Sequence, residues 1–326
     1  MIVGARGAAT ATMRAARHET WGSPLEVVEV PRPEPAAGEV RVTIAATGVN
    51  PIDIFTGRNA GYEQSMRLPF VPGWDVAGTV DALGYGVTRH RVGDRVFGLA
   101  LFPHPAGTYA EFATVPAHQL VTVPSAMTFA EAGAAPMAAL TAWQMLDAAG
   151  VVAGQRVLVD GASGGVGHLA VQLAAARGAT VIALARPAHH DMLHALGAET
   201  CVDYEDPGAM TEIAPVDAFL DYVGHEFGRS LFGRVKPGGT AALATAWSIP
   251  SYPEDAARLG IHIRSCLVEP DPAALGEFGA LVDRGAVRVV VAAEFDLDHA
   301  GDAQHAAVRR GGFGKTVIVS TRPEPA

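Results

Sequence analysis

Cysteine is almost missing: the 326-residue chain holds two, Cys201 and Cys266. Two thiols cannot build a disulfide framework or a zinc site made mainly of thiolates, and so few of them suit a reducing cytoplasmic setting. Basic residues are also in short supply. Lys plus Arg number 24 against 34 Asp plus Glu, a formal charge of −10, which argues against a nucleic-acid partner whose phosphates would need a cationic face. No apolar run approaches the ~20 residues of a membrane helix, because Arg, Asp, Gly or Pro interrupts each alanine-rich stretch, and no membrane partner is expected. The first twelve residues, Met1 to Thr12, carry one charge at Arg6. They lack the apolar centre of a secretory signal and read as a loose, disordered tail.

What the chain does have is apolar material, 49% of its residues, in a length that suits two domains. From about Val27 to Leu120, short strand-like runs are broken by Pro and Gly. Glu39-Val40-Arg41-Val42-Thr43-Ile44 alternates with period two, so this half reads as mostly β. After Pro124 the texture turns to alanine-rich helical stretches between short apolar runs at Val157 to Val159, Ala179 to Ala185, Thr200 to Val202, Ala218 to Asp221, Thr240 to Ala244 and Ile261 to Leu267. Repeated strand–helix units imply a parallel sheet covered on both faces. A last isolated strand, Gly314 to Val319, is placed to rejoin the first domain.

The strongest local signal is Val157-Leu158-Val159-Asp160 running into Gly161-Ala162-Ser163-Gly164-Gly165-Val166-Gly167, after which Val166, Leu169, Ala170 and Leu173 recur at helical spacing. Strand, glycine turn and helix come in the order that a dinucleotide fold needs. Gly164 lets the backbone approach a pyrophosphate, Gly167 permits close packing of helix on strand, and the helix N-terminus offers free N–H groups. Ala162 stands where the common G-x-G-x-x-G pattern has its first Gly, so the loop is a variant. The next strand ends in Arg186 rather than in the Asp or Glu that accepts from a ribose 2′-hydroxyl. A guanidinium grips a 2′-phosphate, so NADPH is the expected cofactor. His189 and His190 follow closely and are candidates to assist, or are plain surface histidines.

Beyond this loop, the chain carries Gly48-Val49-Asn50-Pro51-Ile52-Asp53, Pro72-Gly73-Trp74-Asp75-Val76-Ala77-Gly78, Gly93-Asp94-Arg95-Val96, Gly107-Thr108-Tyr109-Ala110-Glu111, Leu140-Thr141-Ala142-Trp143 and Gly314-Lys315. With these motifs it resembles the zinc-independent quinone oxidoreductase branch of the medium-chain dehydrogenase/reductase superfamily, over nearly its whole length from Met13. The resemblance implies an α/β protein: a GroES-like β domain at 13–135 and 300–326, and a Rossmann doubly wound parallel-sheet domain at 136–299. It also implies a cofactor cleft between them and a homodimer. By the same likeness the 2′-phosphate is held by residues at Arg186, His189 and Tyr204, with the loop residues Ser163, Gly164, Gly165, Val166 and Gly167 around the pyrophosphate.

Zinc-dependent relatives place a Cys and a His where Asn50 and Trp74 stand here, and neither of these is a usual zinc ligand. The ten or so residues from Val96 to Gly107 also leave no room for a structural-metal lobe, so no metal is expected. Without a Lewis acid, conjugate reduction is easier than alcohol oxidation, because the charge spreads to an enolate or hydroquinone oxygen that hydrogen bonds stabilise. The expected reaction is hydride transfer from NADPH to a quinone or an α,β-unsaturated carbonyl. The alternative is a biosynthetic cyclase or lyase doing non-redox chemistry on the same scaffold.

At the reacting centre, the resemblance puts the Asn50 amide beside the substrate carbonyl as an oxyanion donor; its other reading is a brace for the turn before Pro51. Thr141 would face the nicotinamide or simply cap or pack. Many relatives have Tyr where this chain has Phe55, so Tyr62 is a replacement proton donor or a hydrophobic lid, with water as the competing proton source. Trp74 either stacks on a flat substrate or fills core volume. Lys315 would reach a cofactor oxygen or a neighbouring carboxylate.

Overall fold

The computed structural model describes residues 11–244, 252–309 and 311–319. Two strands, β1 (Thr12–Arg17) and β2 (Glu26–Pro31), pair as an antiparallel hairpin. The next five are β3 (Glu39–Gly48), β4 (Asp75–Leu83), β5 (Arg95–Leu99), β6 (Phe112–Pro116) and β7 (Val121–Thr122). They form an antiparallel sheet in which β3 pairs with both β4 and β6. The period-two pattern of β3 has the anticipated effect: Val40, Val42 and Ile44 all point into a core shared with Val76, Val80, Val96 and Val115. Helix α1 (Pro51–Gly57) leaves the end of β3 with Asn50 at its N-cap and Pro51 at its first position, where a missing N–H costs nothing.

Helices α2 (Phe129–Ala134) and α3 (Pro136–Ala148) lead into the second half. A capping box starts α2: Glu131 N donates to Thr128 Oγ1 at 3.2 Å and Thr128 N donates to Glu131 Oε2 at 2.8 Å, which satisfies two otherwise orphaned donors. Strands and helices then alternate: β8 (Arg156–Val159), α4 (Gly167–Ala176), β9 (Thr180–Leu184), α5 (His190–Ala195), β10 (Thr200–Val202), α6 (Pro207–Thr211), β11 (Val216–Asp221), α7 (His225–Ser230), β12 (Val235–Leu243), α8 (Tyr252–Leu259), β13 (His262–Ser265) and α9 (Pro272–Asp283). The six strands are all parallel, in the order β10-β9-β8-β11-β12-β13. Counted from β8, that is the 3-2-1-4-5-6 order of a Rossmann sheet. The order reverses between β8 and β11, and a crevice opens beyond the carboxyl ends of those strands.

The chain then returns to its first sheet. Strand β14 (Val291–Asp296) is followed by α10 (Ala300–Ala307) and β15 (Lys315–Val319). β15 pairs antiparallel with β3, Val317 lying opposite Gly48, and parallel with β14. The return to the first sheet therefore comes before the boundary expected at residue 300: backbone hydrogen bonding assigns β14 to that sheet, although its sequence lies within the stretch given to the dinucleotide domain. At the other end, Thr12 belongs to β1 rather than to a tail, because it pairs across from Pro31; residues 1–10 lie outside the described residues.

Helix α3 joins the two halves, packing on α4 and α9 and against β4, β5 and β12. One apolar core runs through it, from Trp74 and Phe97 in the first half, through Leu140 and Met145, to Val157, Leu169 and Leu220 in the second. The cleft is thus walled by two sheets that share a core.

Candidate active site

The glycine loop crosses from β8 to α4 with no room to spare. A Cβ on Gly167 would lie 2.2 Å from the carbonyl oxygen of Gly161, and one on Gly165 would lie 2.6 Å from Cδ of Lys315. Both spaces are already taken, so any side chain at 167 must push the loop backbone aside. Cross-links fix the loop to the other sheet. Gly314 N donates to Ser163 O at 2.9 Å. His168, fully buried, donates from Nδ1 to Gly164 O at 2.9 Å and accepts from Val290 N on Nε2 at 3.1 Å. That second bond requires a neutral ring, and burial correspondingly pushes the imidazole down to about 4. Gln172, one turn on, donates to Arg288 O and accepts from Arg288 N at 2.9 and 2.8 Å.

Above the loop lies a cleft of about 600 Å³, large enough for an extended cofactor. Residues 163–167 line it together with Arg186, Tyr204, Asn50 and Lys315. At one corner the Arg186 Nε donates to the Tyr204 hydroxyl at 2.9 Å, and Arg309 also lines the cleft. His189 does not line the cleft; its ring packs on Phe313, 5.4 Å between centroids.

On the side of the first sheet, Asn50 and Lys315 sit over a buried polar group. Asn50 Nδ2 donates to Asp75 Oδ2 at 2.8 Å, while Lys315 Nζ donates to Asn50 Oδ1 and, at 3.0 Å, to Val49 O. Asp75 also accepts from Met137 N at 2.7 Å and stands 4.0 Å from the Lys315 ammonium. Below it, Asp53 Oδ2 accepts from Asn50 N at 2.8 Å and from the Tyr109 hydroxyl at 2.9 Å. Burial pushes Asp53 up to about 7 and Asp75 up to about 6, the nearby ammonium opposing in both cases. Burial likewise pushes Lys315 below its usual range, against the pull of Asp75 and Asp53. One of the two Asn50 amide hydrogens is therefore committed to Asp75. Its carbonyl holds the lysine, so the side chain is a hub between Asp75 and Lys315, and the bracing reading stands beside it, since Asn50 caps α1 with its N donating to Asp53 Oδ2.

The other expected site residues do not reach this cleft. Thr141 Oγ1 donates to Met137 O at 2.7 Å, one turn back along α3. Tyr62 is half-buried, its ring edge-on to Phe102 at 5.4 Å, and burial raises its phenol. Phe55 is 39% exposed outside the cleft lining. Trp74 has no exposed surface; its indole packs on Phe70 and Phe102, and Nε1 donates to His104 O at 2.7 Å. A ring sealed inside the core cannot stack on a substrate, so of its two roles Trp74 fills volume. The substrate pocket is expected from residues 55 to 75 and 240 to 270, and of these 245–251 lie outside the described residues.

Sequence reasoning passed over Asp53, Asp75, Tyr109, His168 and Arg309 as site residues. The first three lay in quoted motifs, and two carboxyls and a phenol in those motifs were the available signal. It also passed over Asp160 and Asp221, at the carboxyl ends of β8 and β11. Asp160 accepts from Tyr222 N and Asp221 from Gly224 N, each at 2.6 Å. The second oxygen of each meets no N–H. Burial and the charge of Asp221 push Asp160 well above the usual carboxyl range. Of metal donors, position 50 offers an amide and position 74 an indole. Among the described residues no three of His, Cys, Asp or Glu are grouped to hold an ion.

Comparison with known proteins agrees with this architecture. The alcohol dehydrogenase GroES-like domain matches residues 36–125 and the zinc-binding dehydrogenase family matches 165–267. The chain is 32% identical to the 2-methylene-furan-3-one reductase of Solanum lycopersicum over 268 residues, 77% of this chain and 69% of that one. Among solved structures, the quinone oxidoreductase from Coxiella burnetii superposes with a TM-score of 0.90 at 32% identity, covering 95% of this chain and 99% of that one. A mycobacterial protein complexed with NADPH superposes at 0.84 with 30% identity, covering 94% and 100%. Fold and cleft thus define an oxidoreductase of a superfamily that binds nicotinamide cofactors. Within the medium-chain dehydrogenases/reductases, the chain belongs to the quinone oxidoreductase branch.

Proposed function

We propose that the chain is an NADPH-dependent reductase that passes a hydride, without metal, to a quinone or an α,β-unsaturated carbonyl. The cationic corner of the cleft carries the cofactor choice. Arg186 follows β9 by two residues, where a carboxylate would read a 2′-hydroxyl, Tyr204 accepts from its Nε, and Arg309 is a second guanidinium lining the same cleft. A 2′-phosphate there takes charge-assisted hydrogen bonds from both arginines and the phenol. The loop N–H groups and the positive end of α4 hold the pyrophosphate. When bound, the nicotinamide supplies the hydride.

The metal-free reading is supported by the donors on the first-sheet side, where an ammonium rather than a second ligand faces Asn50. We place the enzyme in the cytoplasm as a homodimer, β13 being one of the sheet edges unpaired among the described residues on which a second copy would dock; mass measurement in solution tests this. No helix among the described residues is long and apolar enough to cross a membrane.

The decisive experiment follows NADPH consumption with a panel of quinones and enones, with and without chelator, beside Arg186→Glu. Turnover that persists in chelator is expected. The variant should weaken NADPH by about tenfold or more relative to NADH, since a carboxylate repels the phosphate. Equal losses for the two dinucleotides, or turnover abolished by chelator, overturn the reading.

A further inference from the structure

We propose that Lys315 is the proton donor of the reduction, its ammonium held in the cleft wall by Val49 and Asn50 and presented to the oxygen of the acceptor. The proposal rests on the reductase reading above. It begins from an unfilled valence. An ammonium has three N–H bonds; two of them go to Val49 O and Asn50 Oδ1, and Asp75 at 4.0 Å is beyond hydrogen-bonding distance. The third has no partner among the described residues, although Lys315 is only 4% exposed and lines the cleft. A buried donor left unpaired in the wall of a binding site is an invitation to a ligand acceptor.

The choice of residue type adds a second argument. Of the 24 Lys and Arg residues, only Lys236 and Lys315 are lysines. Among the described residues two cations are buried, Arg41 and Lys315; Arg41 is held by Asp81 and Glu34, whereas the one in the cleft wall is of the kind that can release a proton.

The surroundings tune that release. Facing the ammonium are Asp75 from β4, Asp53 from α1 and the neutral His168 from α4. Asp75 and Asp53 favour the charged form while burial disfavours it more, which brings the amine towards a hydroquinone oxygen, similar in acidity to a tyrosine phenol at about 10. In the step itself, the acceptor has already taken up a hydride and carries negative charge on oxygen. An N–H bond of Lys315 breaks, the electron pair stays on Nζ, and an O–H bond forms. After product leaves, the neutral amine takes a proton from water. One hydride and one solvent proton are consumed per turnover. Asn50 and Asp75 act here as positioning residues.

The test uses the scarcity of lysine. Protein labelled with ¹³C at lysine Cε gives two side-chain signals, which Lys236→Arg assigns. The Lys315 signal should titrate below the ordinary 10.5 and at the same midpoint as the basic limb of the kcat–pH profile. Asp75→Asn should move both midpoints down together, because the carboxylate that stabilises the ammonium is gone; Asp53→Asn is the second arm should that variant fail to fold. Lys315→Arg keeps charge and donors but cannot release the proton, so kcat should fall by about 10²–10⁴ while NADPH titrations still show binding. A basic limb that ignores the carboxylate variants, or near-normal turnover in Lys315→Arg, overturns the proposal. Wild-type protein that binds no NADPH or reduces no acceptor refutes instead the reductase reading on which it rests.

Discussion

Raising the pH from 6 to 8 should destabilise the cofactor-free protein, chiefly through Asp53. This carboxyl has no exposed surface, and although Oδ2 accepts two hydrogen bonds, Oδ1 has no partner. Burial therefore outweighs the hydrogen bonds and lifts it to about 7, against 3.8 in the unfolded chain. The folded state binds the proton more tightly, so the associated stability is fully present below the unfolded value and is lost as pH rises through 7. Between pH 6 and pH 8 the unfolded carboxyl is ionised throughout, while the folded one passes from about nine-tenths protonated to about nine-tenths ionised. Integrating the linkage relation over that interval gives a loss of about 1.4 kcal/mol. At roughly 2.1 cal/mol/K of unfolding entropy per residue, this lowers Tm by about 2 °C. Asp75, lifted to about 6, adds a smaller loss of the same sign. The assay is urea or thermal unfolding at both pH values for wild type and Asp53→Asn, an isosteric change that can still accept from Asn50 N and Tyr109. The variant should lose most of the pH response. An equal drop in both proteins would mean that Asp53 is already ionised at pH 6, and the buried-proton argument would fail.

Two further outcomes follow from the same geometry. His168 behaves oppositely in acid: its folded value is lowered to about 4 from 6.5, so stability present above 6.5 is lost as pH falls through 4, by up to about 3 kcal/mol. His168→Gln, which can still accept from Val290 N, should shift the acid-unfolding midpoint to lower pH, and an unmoved midpoint would remove His168 as the acid-sensitive link. Trp74→Ala should cost about 3–5 kcal/mol in urea unfolding while leaving KM for small quinones close to wild type. Unchanged stability with a large rise in KM would restore the stacking role.

The order of elements was legible because each rests on a local rule. β3 announces itself by alternation, α4 by a glycine turn followed by helical spacing, and the parallel sheet by the recurrence of short apolar runs between helices. β14 was misassigned for a related reason: nothing in Val291 to Asp296 says which sheet it joins, since pairing with β15 is a tertiary fact. The same division holds for the site. Backbone needs can be read from residue type, so the loop at 163–167 and Arg186 could be singled out, and both line the cleft. Side-chain roles at the reacting centre depend on partners far away in sequence. Asn50 is defined by Asp75 and Lys315, which lie 25 and 265 positions away, and no spacing rule connects three such residues. A residue read singly, such as an amide beside a carbonyl, does not show the partners that hold it. In this fold Asp75 takes one of the amide's hydrogens and Lys315 its oxygen, so the search for the acid in the reaction passes from Asn50 to the ammonium it holds.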